Sequence, residues 1–280
     1  TDMAPATVQR YETSLKHTRD FVWETYHKKD VLLDEISRQF IEDYEFWLKT
    51  EKKCCHNTAT KYLKNFKKII RIALAKGWMK NDPFLEIRFS LDKVEPDFLE
   101  DSEIQKLISK EIDIPRLSQV RDIFVFCCFT GLAFSDIHGL RKEHIVEDSN
   151  GVRWIRKGRQ KTKIMCNIPL MEIPLKILEK YSTNEYCKKH GVLFPVLCNQ
   201  KMNAYLKELA DICGIKKTLT THVARHTFAT FALANGVSIE SVAKMLGHTN
   251  VQMTRHYARV LDRTVIREMS QIKMDFHISI

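Results

Sequence analysis

The chain has 280 residues, 44% of them apolar, and a formal net charge of +10; that length favours two domains and that apolar content excludes wholesale disorder. No apolar run approaches the roughly 20 residues that span a bilayer. There is no signal peptide and no C-x-x-C pair among the eight cysteines, which disfavours a secreted disulfide scaffold or a zinc ribbon and predicts reduced thiols in the cytoplasm.

The surplus of positive charge points to a polyanion, nucleic acid foremost. The chain opens on Thr1 rather than methionine and reads as part of a longer protein. Val8, Tyr11, Leu15 and Val22 recur at helical spacing, and Ile36 to Leu48 repeats the pattern with Phe40, Tyr44 and Trp47. A third helix is predicted from Asn57 or Thr58 to Gly77, with an apolar face of Tyr62, Phe66, Ile69, Ile70 and Ala73. Lys61, Lys64, Lys68 and Arg71, at steps of three and four, form a second stripe on that helix. Residues 49 to 80 hold ten Lys or Arg against one acid, Glu51. Solvated helix faces usually mix signs; a one-sign stripe repels itself unless something anionic lies along it, and the four residues are read as contacts to a DNA backbone.

Phe89 to Pro96 reads as an extended linker, after which Asp101 or Ser102 caps a new helix. Residues 118 to 129 predict a buried helix that stops at Gly131. Val152 to Ile155 and Ile164 to Ile168 predict two strands about a turn near Gly158, and helical patterns return from Leu175.

The residues that carry chemistry cluster late. His222 and Arg225, three apart, share a helix face behind a Thr220 or Thr221 cap, an N-terminal end suited to an anion. His226 adds a second imidazole at i+4, but the Glu of H-E-x-x-H is absent, which speaks against zinc. Then come Leu246-Gly247-His248 and Arg255-His256-Tyr257, with Tyr257 expected near the end of a helix capped by Thr249 or Asn250. Singly, each of these is an ordinary packing or capping residue.

In this order, His-x-x-Arg, Leu-Gly-His and a Tyr nine residues further on resemble the tyrosine recombinase (phage integrase) family, and within it the integrases of conjugative and other mobile elements. Thr130 to Ile137 and Arg159-Gln160-Lys161-Thr162-Lys163, leading to Ile168-Pro169-Leu170, resemble further segments of that family. So does His56-Asn57-Thr58 at the start of the basic helix. The resemblance implies a mainly α fold: a helical core-binding domain over residues 1–90, a linker over 91–99, and a mostly helical catalytic domain with a small antiparallel β-sheet over 100–280. It implies site-specific strand exchange on double-stranded DNA by a homotetramer through a Holliday junction, with host or element-encoded DNA-bending proteins as accessories and a cytoplasmic, nucleoid-associated location.

The residue types suit that chemistry. Tyr257 would attack the phosphorus and hold the 3′-phosphate covalently. Arg225 offers a planar fork of donors to phosphate oxygens, and His222 and His248 hydrogen-bond or move protons near neutral pH. By resemblance, Lys161 protonates the leaving 5′-oxygen, with Lys163 as a substitute, and Asp136 supports the site. No cofactor, metal or nucleotide is called for. The family pattern has an arginine where this chain has Ala133; Arg121 is the expected replacement, with Arg141 and Arg116 as weaker candidates. The tail after Leu261, with Ile266, Met269 and Ile272 on one face, would pack on a neighbouring protomer or on its own domain. A type IB topoisomerase and a catalytically disabled DNA-binding regulator are the rival readings.

Overall fold

The computed structural model describes residues 3–257 and 269–270. The chain divides into two compact units, residues 1–95 and 96–280.

The first unit is helical. Helix α1 (Pro5–Tyr26) starts on a proline, whose missing N–H costs nothing in the first turn. Ser37 caps α2 (Arg38–Thr50), and α3 spans His56–Ala75. Their apolar faces meet in a core rich in rings: Phe21, Phe40, Tyr44, Trp47, Phe66 and Phe84, with tilted and edge-on neighbours 5.0–6.2 Å apart. Two sequence expectations are corrected here. Leu15 and Ile69 are about half exposed: the buried positions of α1 are Ser14, Phe21 and Val22, and those of α3 include Ala59, Leu63, Ile70 and Ala73, with Phe66 packed against them. Asn57 does not cap α3; its side chain exchanges two hydrogen bonds with the backbone of Asp92, at 2.8 and 2.9 Å. The segment before the second unit is thereby tied back to the start of the basic helix.

In the second unit α4 (Asp101–Ser109) is capped by Glu100 rather than Asp101. Helix α5 (Pro115–Thr130) is buried on nearly every side from Leu117 to Thr130, as an all-round apolar helix must be. It packs against α4, α7 (Glu172–Tyr181), α9 (Asn199–Ile212) and α10 (Thr221–Ala234). Between them run the short α6 (Phe134–His138) and α8 (Glu185–His190), and after them α11 (Ile239–Leu246) and α12 (Gln252–Arg255).

Three antiparallel strands form one sheet in the order β1 (Ile145–Glu147), β2 (Arg153–Gly158), β3 (Met165–Pro169). Ile155 faces Ile145 on one side and Ile168 on the other. Strand β1 was not anticipated: three residues are too few for alternation to register. The sheet abuts α11 through β3, which brings the β2–β3 loop against the turn after α11. No described helix is long and apolar enough to cross a membrane.

Candidate functional site

Two helix-end turns and the β2–β3 loop converge in the second unit. Helix α5 ends at Gly131 with φ 66°, and α11 ends at Gly247 with φ 62°, both left-handed conformations that glycine adopts without strain. A Cβ on Gly131 would lie 2.4 Å from the Phe228 ring, and one on Gly247 would lie 2.7 Å from Cys166 Sγ. Both turns therefore sit hard against neighbouring elements.

Arg225, on the second turn of α10, lies between them. It is 2% exposed. Its Nη1 donates to the Gly131 carbonyl at 2.7 Å and its Nη2 to the Leu246 carbonyl at 2.5 Å. A buried guanidinium held by two helix-end carbonyls is fixed in direction, and its charge is not neutralised. Burial, then the nearby charge of Arg159, bring its pKa down to about 10.

Tyr257 is 9% exposed and packs with Phe228, Ala229, Val242 and Leu246. It follows α12 rather than lying inside it, and α12 starts after Val251, with Asn250 accepting from the Gln252 N–H at 2.8 Å. Its ring lies 5.1 Å from that of His226 and 6.2 Å from that of His248. Burial raises its pKa while the charges of Arg225 and Arg159 draw it down. His226, read from the sequence only as an unconvincing zinc ligand, packs edge-on to His222 at 4.4 Å.

His248 follows Gly247, and its Nδ1 sits 2.8 Å from the hydroxyl of fully buried Thr254. Burial first, then Arg225 and Arg159, hold its pKa at about 4. His222 is lowered by burial and by Arg225, Arg159 and Lys161. Both imidazoles are thus neutral at pH 7. In the unfolded chain a histidine takes up its proton near 6.5, so between about pH 6.5 and 4 the unfolded state binds more protons than the fold. Stability is therefore expected to fall as pH drops through that window. Thermal melts between pH 7 and 4.5 check it: the melting temperature should decrease, and decrease less in His248→Asn. A pH-independent melting temperature would contradict the neutral assignment.

The β2–β3 loop completes the cluster. Asp136, in the first turn of α6, is 1% exposed and accepts from the Gln160 N–H at 2.8 Å. Thr162 Oγ1 donates to the Gly247 carbonyl at 3.2 Å. Lys161 is exposed in the turn, close enough to His222 to lower its pKa. Lys163 takes φ 60° and its N–H donates to the Arg159 carbonyl at 2.8 Å. Arg159 is 9% exposed, with Nε 3.9 Å from Asp136 Oδ2.

The structure therefore gathers Tyr257, Arg225, His222, His248, Lys161 and Asp136 into one site. It does not bring Arg121 there. Arg121 donates to the Lys110 carbonyl at 2.6 Å and to buried Asp122 at 3.1 Å, in a network with Lys180 and Tyr181. The reason is the helical rise: ten residues of α5 carry Arg121 roughly 15 Å along the helix from Gly131. Arg116 is held bidentate by Glu208, and Arg141 opens the turn before β1. Arg159 was read only as part of the loop segment. The available signal was strand alternation: Ile155, Lys157 and Arg159 share a face by period two, and Ile155 is core.

The four basic residues of α3 lie in the first unit. Lys61, Lys64, Lys68 and Arg71 are all exposed, and none is in the ion pairs found among the described residues. The tail after Leu261 lies outside the described residues, except Met269 and Ser270.

Residues 97–264 match the phage integrase family and residues 1–91 the phage integrase SAM-like domain. A tyrosine recombinase of Pseudothermotoga lettingae is 29% identical over 244 residues, 84% of this chain and 82% of that protein. Tyrosine recombinase XerD of Oceanobacillus iheyensis is 27% identical, over 84% of this chain and 81% of that protein. In fold, the chain is similar to a lambda integrase dimer bound to a core site (TM-score 0.74, 17% identity, 99% and 94% of the two chains covered). It is also similar to the Tn1549 transposon integrase in complex with a circular intermediate DNA (TM-score 0.72, 18% identity, 97% and 95% covered).

Proposed function

The chain belongs to the phage integrase family and is a tyrosine recombinase, an enzyme of site-specific DNA breakage and rejoining, and from that premise we propose that Tyr257 is its nucleophile. The observation that carries the reading is the burial of the Tyr257 ring among His248, His226 and the charges of Arg225 and Arg159.

The phenol oxygen bonds to phosphorus as the bond from phosphorus to the 5′-oxygen breaks. The 5′-oxygen takes a proton from Lys161, whose place in an exposed turn lets it reach a leaving group. The phenolic proton passes to a neutral imidazole; His248 is unprotonated at pH 7, and the arriving phosphate raises its basicity. Arg225 holds the non-bridging oxygens, and its fixed direction means that no reorganisation is needed as charge develops. Rejoining reverses each step with another strand's 5′-hydroxyl. Asp136, tying the loop to α6, keeps Lys161 in range.

Double-stranded DNA is the partner in this reading, and a homotetramer on two sites, with DNA-bending accessories, is the assembly that strand exchange requires. A cytoplasmic, nucleoid-associated location follows from that substrate. The presence of Tyr257, Arg225, His222, His248 and Lys161 together favours this reading over a disabled regulator. Its direct test is covalent trapping on a nicked suicide duplex, using a sequence selected for binding from a random pool; the expected product is a denaturant-stable protein–DNA adduct.

The basic stripe on α3 supplies sequence-independent contacts. Replacing Lys61 and Lys68 by alanine should lower the slope of log K against log salt by roughly two, about one per phosphate lost. Affinity should weaken on selected and random duplexes alike. Binding titrations between low and high salt measure it, and an unchanged slope would return the stripe to a plain solvated face.

A further inference from the structure

Arg159 leaves β2 with its backbone pinned: its N–H donates to the Ile164 carbonyl at 2.8 Å, and its own carbonyl accepts from Lys163. The side chain runs past Gly247, where an added Cβ would lie 3.5 Å from Arg159 Cβ and Cδ, and ends beside Asp136. Arg159 Nε and Asp136 Oδ2, 3.9 Å apart, are both buried without a hydrogen-bond partner among the described residues. A desolvated guanidinium is normally matched by close, paired acceptors. This one is not.

The imbalance extends to its neighbours. Arg159 lies close enough to Arg225 to lower its pKa, and close enough to His222, His248 and Tyr257 to act on each. Lys161 adds a third cation beside His222. The carboxylate that counters them is Asp136, and its effect on Arg225 is smaller than that of Arg159. Two buried guanidiniums side by side repel each other. The arrangement is favourable when an anion lies between them, and the anion that the reaction delivers there is a phosphate.

We propose that Arg159 is a catalytic residue: its guanidinium, buried near Asp136 and Arg225, is the second fork of donors on the scissile phosphate. The inference rests on the reading of Tyr257 as nucleophile. It also accounts for Ala133. That residue precedes α6, the helix that carries Asp136, so a cation is supplied to the same corner from the β2–β3 loop instead. Arg159 neither gains nor loses a proton. It neutralises the second negative charge that the non-bridging oxygens acquire as the Tyr257–phosphorus bond forms and the bond to the 5′-oxygen breaks.

The test compares two nicked suicide duplexes of the selected sequence. One carries an ordinary scissile phosphodiester. The other carries a methylphosphonate there, an uncharged methyl replacing one charged oxygen. Arg159→Met keeps the unbranched stem along Gly247. At protein concentrations that saturate binding it should form adduct on the phosphodiester about a hundredfold more slowly than the parent, the usual effect of removing one oxyanion donor. On the methylphosphonate, where less charge needs a partner, the deficit should shrink to under about tenfold. Ala133→Arg added to Arg159→Met should recover part of the phosphodiester rate. Equal slowing on both duplexes would make Arg159 a packing residue and overturn the proposal, as would a parent-like rate on the phosphodiester. Should the methionine variant not fold, Arg159→Gln carries the same comparison. A parent chain that forms no adduct on the phosphodiester overturns the Tyr257 reading and this one together; a cleaving parent matched by Arg159→Met overturns this one alone.

Discussion

Tyr257→Phe is expected to abolish covalent adduct formation while leaving DNA affinity within about threefold, under ~0.7 kcal/mol. The two parts of this outcome have separate origins. Tyr257 belongs to a buried apolar cluster with Phe228, Ala229, Val242 and Leu246, and phenylalanine keeps the apolar ring and its contacts to His226 and His248. Only the hydroxyl is lost, and with it the atom that would bond to phosphorus. Arg225, Arg159 and Lys161 remain to bind phosphate, so affinity should survive. A gel under denaturing conditions with a labelled nicked duplex reads the adduct, and a titration on intact duplex reads affinity. Adduct at the parent level would remove Tyr257 from the chemistry and direct attention to another nucleophile.

Arg225→Ala is expected to have the next largest effect, and to act on both catalysis and stability. Cleavage should fall by about 10²–10³, since a preorganised donor on the developing charge is lost. The fold should also suffer. The carbonyls of Gly131 and Leu246 lose the donors that now reach them at 2.7 and 2.5 Å, and an unsatisfied buried acceptor costs about 1–3 kcal/mol. Part of that is offset, because the fold bears a cost for burying the charge, visible in a pKa drawn down to about 10. Together these give a lower melting temperature in a chain that still folds. Cleavage is therefore measured well below the variant's own melting temperature. A rate within tenfold of the parent under those conditions would show that Arg225 serves the two helix ends alone. Arg225→Lys sharpens the comparison: it keeps the charge but cannot reach two carbonyls with one fork.

Much of this site was legible in the chain because its spacing is local. His222 and Arg225 share a face by the geometry of one helix turn, and Thr220 caps that helix through a hydrogen bond to the Val223 N–H. Gly131 and Gly247 announce helix ends by permitting φ above zero. The burial of α5 follows from an unbroken apolar run. The family resemblance then named Tyr257, His248 and Lys161 in roles that the residues alone left open.

The misreadings share one cause. Periodicity reports which residues share a face, and not which of two faces meets the core; hence Ile69 was assigned inward and lies outward. Arg121 was a candidate from the start of the helix before Gly131, and the length of that helix keeps it away from the site, on Asp122. Arg159 could not be ranked above other loop cations, since its significance comes from partners far along the chain: Asp136 on α6, Gly247 after α11 and Arg225 on α10. Antiparallel pairing of β2 with β3 and the packing of β3 on α11 bring these together. The sequence by itself determined the longer helices, the glycine-marked ends of α5 and α11, and the order of the reactive side chains, because those depend on dihedral preference and short-range hydrogen bonds. The tertiary structure alone decided which cations are desolvated and share one pocket, because burial and charge proximity are set by contacts between elements that no local pattern encodes.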